Sequence, residues 1–411
     1  MKLYLRSMAL LCLIAASGCA TAIRHTALPE DIVSKAVVIG YPPEIRYWGD
    51  EAQQKIDEIV AKRIQQYKEA NKDYYEKNGQ YPTMDYLALS GGGNDGAFGA
   101  GLLKGWTENG SRPQFTVVTG TSTGALIAPL AFLGPEYDVE LEKVYTTIRS
   151  ENIFESSFFT VIDGLTGGLA ITDTTPLEEN IKLVITPDIF NKIAAEHRKG
   201  RRLLIGTTNI EAQRSVIWDM GAIANSGRPD ALELFRKIML ASSAIPGAFK
   251  PVFIDVTVDG KKYNEIHVDG GVTSQVFLYP LETTKREKEL YDVNGINRRM
   301  FVVRNTKITP QYEALDPGVL SLTQRSVETL IKSHGVGDIF RLYVGAERDG
   351  IDYNFIHVPA DFNVKSEAIF DPIYMKAIFQ AGYETGKKIE WLKKPPSVEY
   401  IRTEEKKDKA N

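Results

Sequence analysis

Hydrophobic and polar positions follow three different regimes along the chain. Near the start, Lys2 and Arg6 precede an apolar run from Met8 to Ala16 that is too short to cross a bilayer. Between residues 20 and 48 there is little periodicity, and Pro29, Pro42 and Pro43 interrupt what there is, which predicts a tether. Residues 49–77 are rich in Glu, Lys, Gln and Tyr with few breakers, which predicts one or two exposed helices. From Met84 onward short apolar runs alternate with longer helical patterns. Strands are expected at Met84–Leu89, Phe115–Thr119, Leu203–Thr208, Val216–Met220, Ile266–Val268 and Met300–Arg304. Helices are expected at Phe98–Trp106, Ala125–Leu133, Leu232–Leu240, Leu322–Tyr343 and Ile373–Leu392. Alternation of this kind predicts an α/β fold around a largely parallel sheet. No internal repeat and no second long apolar span is visible. The expected division is a leader over 1–18, a tether and helical extension over 19–80, a catalytic core over 81–285, and a segment over 286–411 that completes the same domain and ends in a charged tail from about 402.

Candidate chemistry enters with Val117-Val118-Thr119-Gly120-Thr121-Ser122-Thr123-Gly124-Ala125-Leu126. An apolar, β-rich run feeds Gly-x-Ser-x-Gly, and an apolar helical run leaves it. This is the layout of a nucleophile elbow, in which a serine occupies a tight strand-to-helix turn with its hydroxyl presented. Gly120 and Gly124 suit it, because a Cβ at either place would crowd a closely packed strand and helix. The plainer reading of the same residues is a Gly/Ser/Thr loop.

A second glycine cluster, Ser90-Gly91-Gly92-Gly93-Asn94-Asp95-Gly96, follows the first strand and opens a helix. Consecutive glycines let several backbone amides point into one concavity, which stabilises negative charge such as a tetrahedral oxyanion. The spacing Gly91-x-Gly93-x-x-Gly96 also fits a dinucleotide-binding turn. That motif needs an acidic residue at the tip of the second strand, and the second strand here ends in Gly120-Thr121-Ser122. No glycine-rich segment ends in Gly-Lys-Ser/Thr, so a nucleoside-triphosphate loop is not expected either.

A base for the serine is less obvious. The five histidines are His25, His197, His267, His334 and His357, and none clearly occupies a loop at a strand tip. His267 shares a strand face with Asp269, two residues on. Asp269-Gly270-Gly271 follows a strand, and its glycines permit a sharp turn that aims the carboxylate at the sheet edge. Ser242 and Ser243 precede Ile-Pro-Gly without an oxyanion motif and read as structural. Asp173 reads as a cap or turn residue.

Composition changes the picture in two places. With 43% hydrophobic and 25% charged residues the chain reads as globular, and a net charge of −4 without a dense basic patch argues against a nucleic-acid partner. The two cysteines are Cys12 and Cys19, and Ala16-Ser17-Gly18-Cys19 resembles the box at which bacterial lipoprotein leaders are cut, with Ala16 where leucine is usual. The resemblance implies that Cys19 becomes the lipidated first residue and a membrane anchor. With Ala20 following, it implies the outer membrane, facing the periplasm, in a Gram-negative cell. Loss of the leader would leave no pair of cysteines to bridge.

Taken in order, Gly91-Gly92-Gly93-x-x-Gly96, Gly120-x-Ser122-x-Gly124 and Asp269-Gly270-Gly271 resemble the patatin-like phospholipase family. Ala241-Ser242-Ser243-Ala244-Ile245-Pro246-Gly247-Ala248-Phe249 and Asp173-Thr174-Thr175-Pro176-Leu177 are similar to segments of that family as well. The resemblance implies a three-layer α/β fold with a central, mostly parallel sheet flanked by helices. It also implies a phospholipase A or lysophospholipase type of esterase acting on lipid or phospholipid. Ser122 would be the nucleophile, Asp269 the base without histidine, and Gly91, Gly92, Gly93 and Thr123 the oxyanion hole. No cofactor or metal is expected. The family often has a basic residue just before the last glycine of its first motif, and here that residue is Asp95. Two other expectations stand beside this one: a serine esterase that recruits His334 or His357, and a non-catalytic envelope lipoprotein that binds lipid or protein.

Overall fold

The computed structural model describes residues 25–51, 53–147, 174–278, 293–366 and 371–396. Cys19, Asp173 and the leader lie outside these. Ten strands form one mixed sheet: β1 Val37–Val38, β2 Arg46–Trp48, β3 Met84–Leu89, β4 Val117–Thr121, β5 Arg202–Asn209, β6 Arg214–Asp219, β7 Val252–Val258, β8 Lys261–Asp269, β9 Arg298–Arg304 and β10 Asp352–His357. The spatial order is β1-β7-β8-β5-β4-β3-β9-β10, with β6 pairing β5 and β2 pairing β6. Strands β5, β4, β3, β9 and β10 run parallel, whereas β8, β7, β1, β6 and β2 are joined antiparallel. The expected α/β fold around a largely parallel sheet is therefore what the chain adopts, with antiparallel strands added on one side.

Alternation along the central strands assigns the two faces. Leu87, Leu89, Phe301 and Val303 join one apolar core, and Ala88, Met300 and Val302 join another on the opposite face. The first core takes in helices Gly96–Asn109 and Thr123–Leu133, and the second is covered by Ile339, Leu342 and Ala346 of the long helix Val319–Asp349. Helices on both faces of such a sheet bury apolar side chains on two sides, which is why its central strands read as nearly continuous apolar runs. Helix Pro372–Lys388 crosses Gly96–Asn109 at backbone contact distance. A Cβ on Gly101 would lie 2.0 Å from the Phe379 carbonyl oxygen, and one on Gly382 would lie 2.1 Å from that of Phe98. This crossing anchors the helix that opens at the glycine cluster.

The N-terminal region departs from the tether expected over residues 20–48. Val37–Val38 pairs with Val256–Thr257, and Arg46–Trp48 pairs with Val216–Trp218. Ile45, Tyr47 and Trp48 are buried. The prolines that suggested a free linker instead start short turns, such as the 3-10 turn Pro43–Ile45, between strands too short to show a period. The helices expected nearby are present at Gln53–Ala70 and Lys72–Asn78.

Several elements go beyond those expected from the sequence. Strand β7 is one that could have been found, since Val252, Ile254, Val256 and Val258 alternate with less buried residues. Strand β10 and helix Pro187–Arg198 were not anticipated either.

Candidate active site

Strand β5 organises the site. Its pairing with β6 occupies one edge from Leu204 to Asn209. The other edge is shared end to end: β4 pairs with Arg202–Gly206, and β8 pairs with Thr207–Asn209. Thr121 thus sits opposite Gly206 and Asp269 opposite Thr207, so the tips of β4 and β8 meet. The residue after Thr121 is Ser122.

Ser122 adopts φ 55° and ψ −125° between β4 and helix Thr123–Leu133. Among the described residues, the other non-glycine residues with positive φ are Gln213 and Asp259, both in hairpin turns. A bulky conformation of this kind costs about 1–3 kcal/mol and persists only where the surroundings impose it. The surroundings are backbone: a Cβ on Gly120 would lie 2.4 Å from the Gly124 carbonyl oxygen, and one on Gly124 would lie 2.4 Å from that of Leu89. The elbow expected from Gly120-x-Ser122-x-Gly124 is thus formed.

Two serines that had read as merely structural hold the elbow directly. The Ser122 N–H donates to Ser242 Oγ at 3.1 Å, and Ser242 Oγ donates to the Gly206 carbonyl at 2.7 Å. Ser243 Oγ donates to the Ser122 carbonyl at 3.3 Å. Both come from the end of helix Ala231–Ser242 and its cap. Their structural role agrees with the sequence reading. Their partner, the nucleophile candidate itself, was not foreseeable from their surroundings in the chain.

Asp269 closes β8 and caps the turn Gly270–Val272, with Oδ1 accepting the Gly271 N–H at 2.7 Å. Oδ2 is buried and accepts no fully formed hydrogen bond. The Ser122 hydroxyl is nonetheless near enough to the carboxylate to stabilise its charge. Burial pushes Asp269 up to about 6, only partly offset by the Ser122 hydroxyl and the Gly271 amide. Both residues are only 6% exposed.

The glycine cluster lies against this pair. A Cβ on Gly91 would be 3.2 Å from Ser122 Cβ and 2.6 Å from Gln275 Oε1. The Gly91 N–H donates to the Gln275 carbonyl at 3.0 Å, which removes it from the expected set of oxyanion donors. The amides of Gly92, Gly93 and Thr123 have no acceptor in the protein among the described residues. Gly96 packs against the Thr123 side chain, where a Cβ would come within 2.0 Å of Thr123 Oγ1. Gln275, which no motif had marked, joins the loops: its backbone N–H donates to Asp338 at 2.7 Å, and its side chain lies beside Gly271.

None of the described histidines bonds Ser122 or Asp269. His267 is fully buried, with Nδ1 against Thr207 Oγ1 at 2.9 Å and Nε2 against Glu265 at 3.1 Å. Burial lowers its pKa, which keeps it neutral. His334 lies exposed on helix Val319–Asp349, and His357 ends β10 with Nδ1 against the Val358 carbonyl at 2.7 Å. His25 pairs with Glu211 and His197 lies beside Asp219.

A strained serine at a strand-to-helix turn, a buried carboxylate beside it and open amides on the facing loop are thus brought together at one end of the sheet. Residues 87–281 match the Patatin family, described as patatin-like phospholipase, and this part of the chain is a patatin-like phospholipase domain. Membership supports a lipid hydrolase. No curated protein matches the chain by sequence. Solved structures that align with it include VipD from Legionella pneumophila, at 14% identity over 75% of this chain and 67% of that chain with a TM-score of 0.34. Human GIVD cytosolic phospholipase A2 aligns at 8% identity over 88% and 68% with a TM-score of 0.34. ExoU of the Pseudomonas aeruginosa type III secretion system, solved with SpcU, aligns at 14% identity over 80% and 59% with a TM-score of 0.25.

Proposed function

We propose that the protein hydrolyses acyl esters of lipids with Ser122 as nucleophile and Asp269 as its base, without a histidine. The observation that carries this reading is the buried Asp269 carboxylate, with one oxygen unbonded, beside a serine held in a strained elbow. Asp269 takes the hydroxyl proton as Ser122 Oγ attacks the ester carbonyl, and the carbonyl oxygen becomes an oxyanion. The amides of Gly92, Gly93 and Thr123 receive that charge, each well-placed donor lowering the barrier by about 3–4 kcal/mol. Collapse of the intermediate expels the alcohol, which takes the proton from Asp269 and leaves an acyl-Ser122. Water then attacks, Asp269 accepts its proton, and the carboxylic acid departs as the proton returns to Ser122.

A carboxylate is a weak base for an alcohol, and three features support it here. The dry setting raises Asp269 to about 6. The Gly271 amide fixes one carboxylate oxygen and leaves the other unbonded. The pairing of β4 and β8 on β5 fixes the separation before substrate arrives. The reading is tested by fluorophosphonate labelling and ester hydrolysis with wild type, Ser122→Ala, Asp269→Asn, His334→Ala and His357→Ala. The expected result is labelling and hydrolysis by wild type, loss of hydrolysis in the first two variants and retention in the histidine variants. Full hydrolysis by Asp269→Asn sinks the dyad, and an inert wild type favours a lipid- or protein-binding role.

We also propose that Cys19 carries the lipid anchor. His25 already bonds Glu211 at 2.8 Å on the body of the protein, which leaves a connection of about 20 Å at full extension from Cys19. An enzyme held so closely meets membrane lipid at high effective concentration. Cys19→Ala should move the protein from the membrane to the soluble fraction, and continued membrane residence counts against lipidation.

A further inference from the structure

We propose that Ser90 is a positioning residue of the oxyanion hole, its hydroxyl setting the direction of the Gly92 N–H by holding the opposite end of the same peptide unit. The inference rests on the reading of Ser122 as the acyl-transfer nucleophile and deepens it.

A peptide unit is planar and trans, so its N–H and C=O point in opposite directions, and a bond at one end orients the other. The open amides differ in what holds that other end. The Gly93 N–H shares its unit with the Gly92 carbonyl, which accepts the Asp95 N–H at 3.0 Å. The Thr123 N–H shares its unit with the Ser122 carbonyl, which accepts the Ala125 N–H at 2.8 Å. Backbone therefore holds both. The Gly92 N–H shares its unit with the Gly91 carbonyl. Among the described residues the donor to that oxygen is the Ser90 hydroxyl, at 2.7 Å.

The hydroxyl is committed to this bond. Ser90 Oγ already accepts the Asn305 N–H at 2.9 Å, so its own hydrogen goes to the Gly91 carbonyl. Ser90 is buried and Asn305 fully so, which keeps water from competing. The serine backbone is pinned as well: its N–H donates to the Val303 carbonyl at 3.0 Å, and its carbonyl accepts the Asn305 side-chain amide at 2.7 Å. Asn305 follows β9 and lies beyond the segment that matches the family, residues 87–281. The C-terminal part of the chain therefore supplies the anchor.

Sterics cannot replace the bond. Gly91 and Gly92 flank the unit, and residues without a Cβ leave its plane free to turn. Neither position has room for a side chain. A Cβ on Gly91 would lie 2.6 Å from Gln275 Oε1 and 3.2 Å from Ser122 Cβ, and one on Gly92 would lie 3.0 Å from the Asn305 carbonyl oxygen. Gly91 thus lies against Ser122, while the plane that follows it hangs on one side-chain hydrogen bond. Without Ser90 Oγ that plane can turn over, presenting a carbonyl oxygen where the N–H stood. An oxyanion would then meet a dipole of the wrong sign.

The test uses the full chain, p-nitrophenyl butyrate as substrate and an alkyl trifluoromethyl ketone, which adds to a serine nucleophile as a hemiketal oxyanion. In Ser90→Ala kcat should fall about tenfold or more with KM within about twofold of wild type, because the amide serves the oxyanion rather than the bound ester. Affinity for the ketone should fall by the same factor as kcat/KM. The acid limb at about pH 6 set by Asp269 should stay in place. A wild-type kcat or an unchanged ketone affinity overturns the inference. So does an acid limb that moves, since the change would then have reached Asp269. Nitrogen-15 relaxation reads the hold without any variant: in wild type the Gly92 N–H should be as rigid as those of Gly93 and Thr123, and a more mobile Gly92 overturns the inference. In Ser90→Ala Gly92 alone should loosen, and an unchanged Gly92 or equal loosening of all three also overturns it. If wild type cleaves no ester the catalytic reading fails, while relaxation still decides whether Ser90 orients the amide.

Discussion

Thr121 and Asp269 lie opposite consecutive residues of β5, Gly206 and Thr207, on the same edge of that strand. The parallel strand β4 ends where the antiparallel strand β8 ends, so the residue after Thr121 meets the carboxylate. The Gly206 carbonyl also receives Ser242 Oγ, which in turn accepts the Ser122 amide. One β5 residue therefore ties together the strand before Ser122 and the helix that supports it.

The pH dependence of activity should follow Asp269. Burial raises it to about 6, and the base is its ionised form. The sign is therefore a loss of kcat/KM as pH falls through about 6, approaching tenfold per pH unit below it. Asp269→Asn should remove this limb and lower the rate by about 10²–10⁴-fold. A pH–rate profile of wild type that stays flat from pH 7 to pH 4.5 would speak against Asp269 as base.

Substitution at the elbow should be felt in both rate and stability. Gly124→Ala places a Cβ 2.4 Å from the Leu89 carbonyl oxygen and 2.7 Å from that of Ser90, and neither backbone atom can retreat easily. Overpacking of this type costs about 1–3 kcal/mol. Urea denaturation should show the loss, and fluorophosphonate labelling of Ser122 should fall with it. Labelling at the wild-type rate would mean that the turn tolerates the methyl group.

Ser242→Ala tests the support behind the nucleophile. The change leaves the Ser122 N–H without its acceptor and the Gly206 carbonyl without the serine hydroxyl, both in a buried setting. Leaving such groups unpaired costs about 1–3 kcal/mol each. A drop in kcat larger than any change in KM is expected, because the hydroxyl of Ser122 loses its fixed aim. Ser243→Ala, which removes one 3.3 Å bond, should do less. Equal effects of the two variants would contradict the assigned roles.

Acid stability should reflect Glu265. Burial would raise its pKa, but the Arg46 charge and the hydrogen bonds from His267 and Arg46 outweigh that and hold it at about 2 against an ordinary 4.5. A depressed carboxylate stabilises the fold above its unfolded pKa, so this stability is present above 4.5 and is lost as pH falls toward 2. Arg46→Met leaves the fully buried Glu265 charge uncompensated and should cost about 3–5 kcal/mol at pH 7. Thermal melts at pH 7 and pH 3 check it: the gap between wild type and variant should shrink at the lower pH.

Much of the site was legible because its parts are local. A strand, a Gly-x-Ser-x-Gly turn and a helix are contiguous in sequence, and backbone crowding restricts the flanking positions to glycine. Asp269-Gly270-Gly271 was legible for a similar reason, since a carboxylate followed by two glycines caps a turn with its own downstream amide. The glycine loop was legible only in outline. Its three glycines are equivalent on paper, whereas the fold gives the Gly91 amide to Gln275 and leaves Gly92 and Gly93 without acceptors.

The N-terminal segment shows where local reading fails. Val37–Val38 and Arg46–Trp48 are too short to display a period, and their pairing with Val256–Thr257 and Val216–Trp218 depends on strands far along the chain.

The sequence by itself determined the α/β alternation, the elbow and the Asp269-Gly270-Gly271 turn, because each is set by short-range sterics and hydrogen bonding. Tertiary structure alone decided that β4 and β8 share one edge of β5, which serines brace Ser122 and which amides stay open. These depend on which distant strands and helices come into register, and residue type and local spacing carry no record of that.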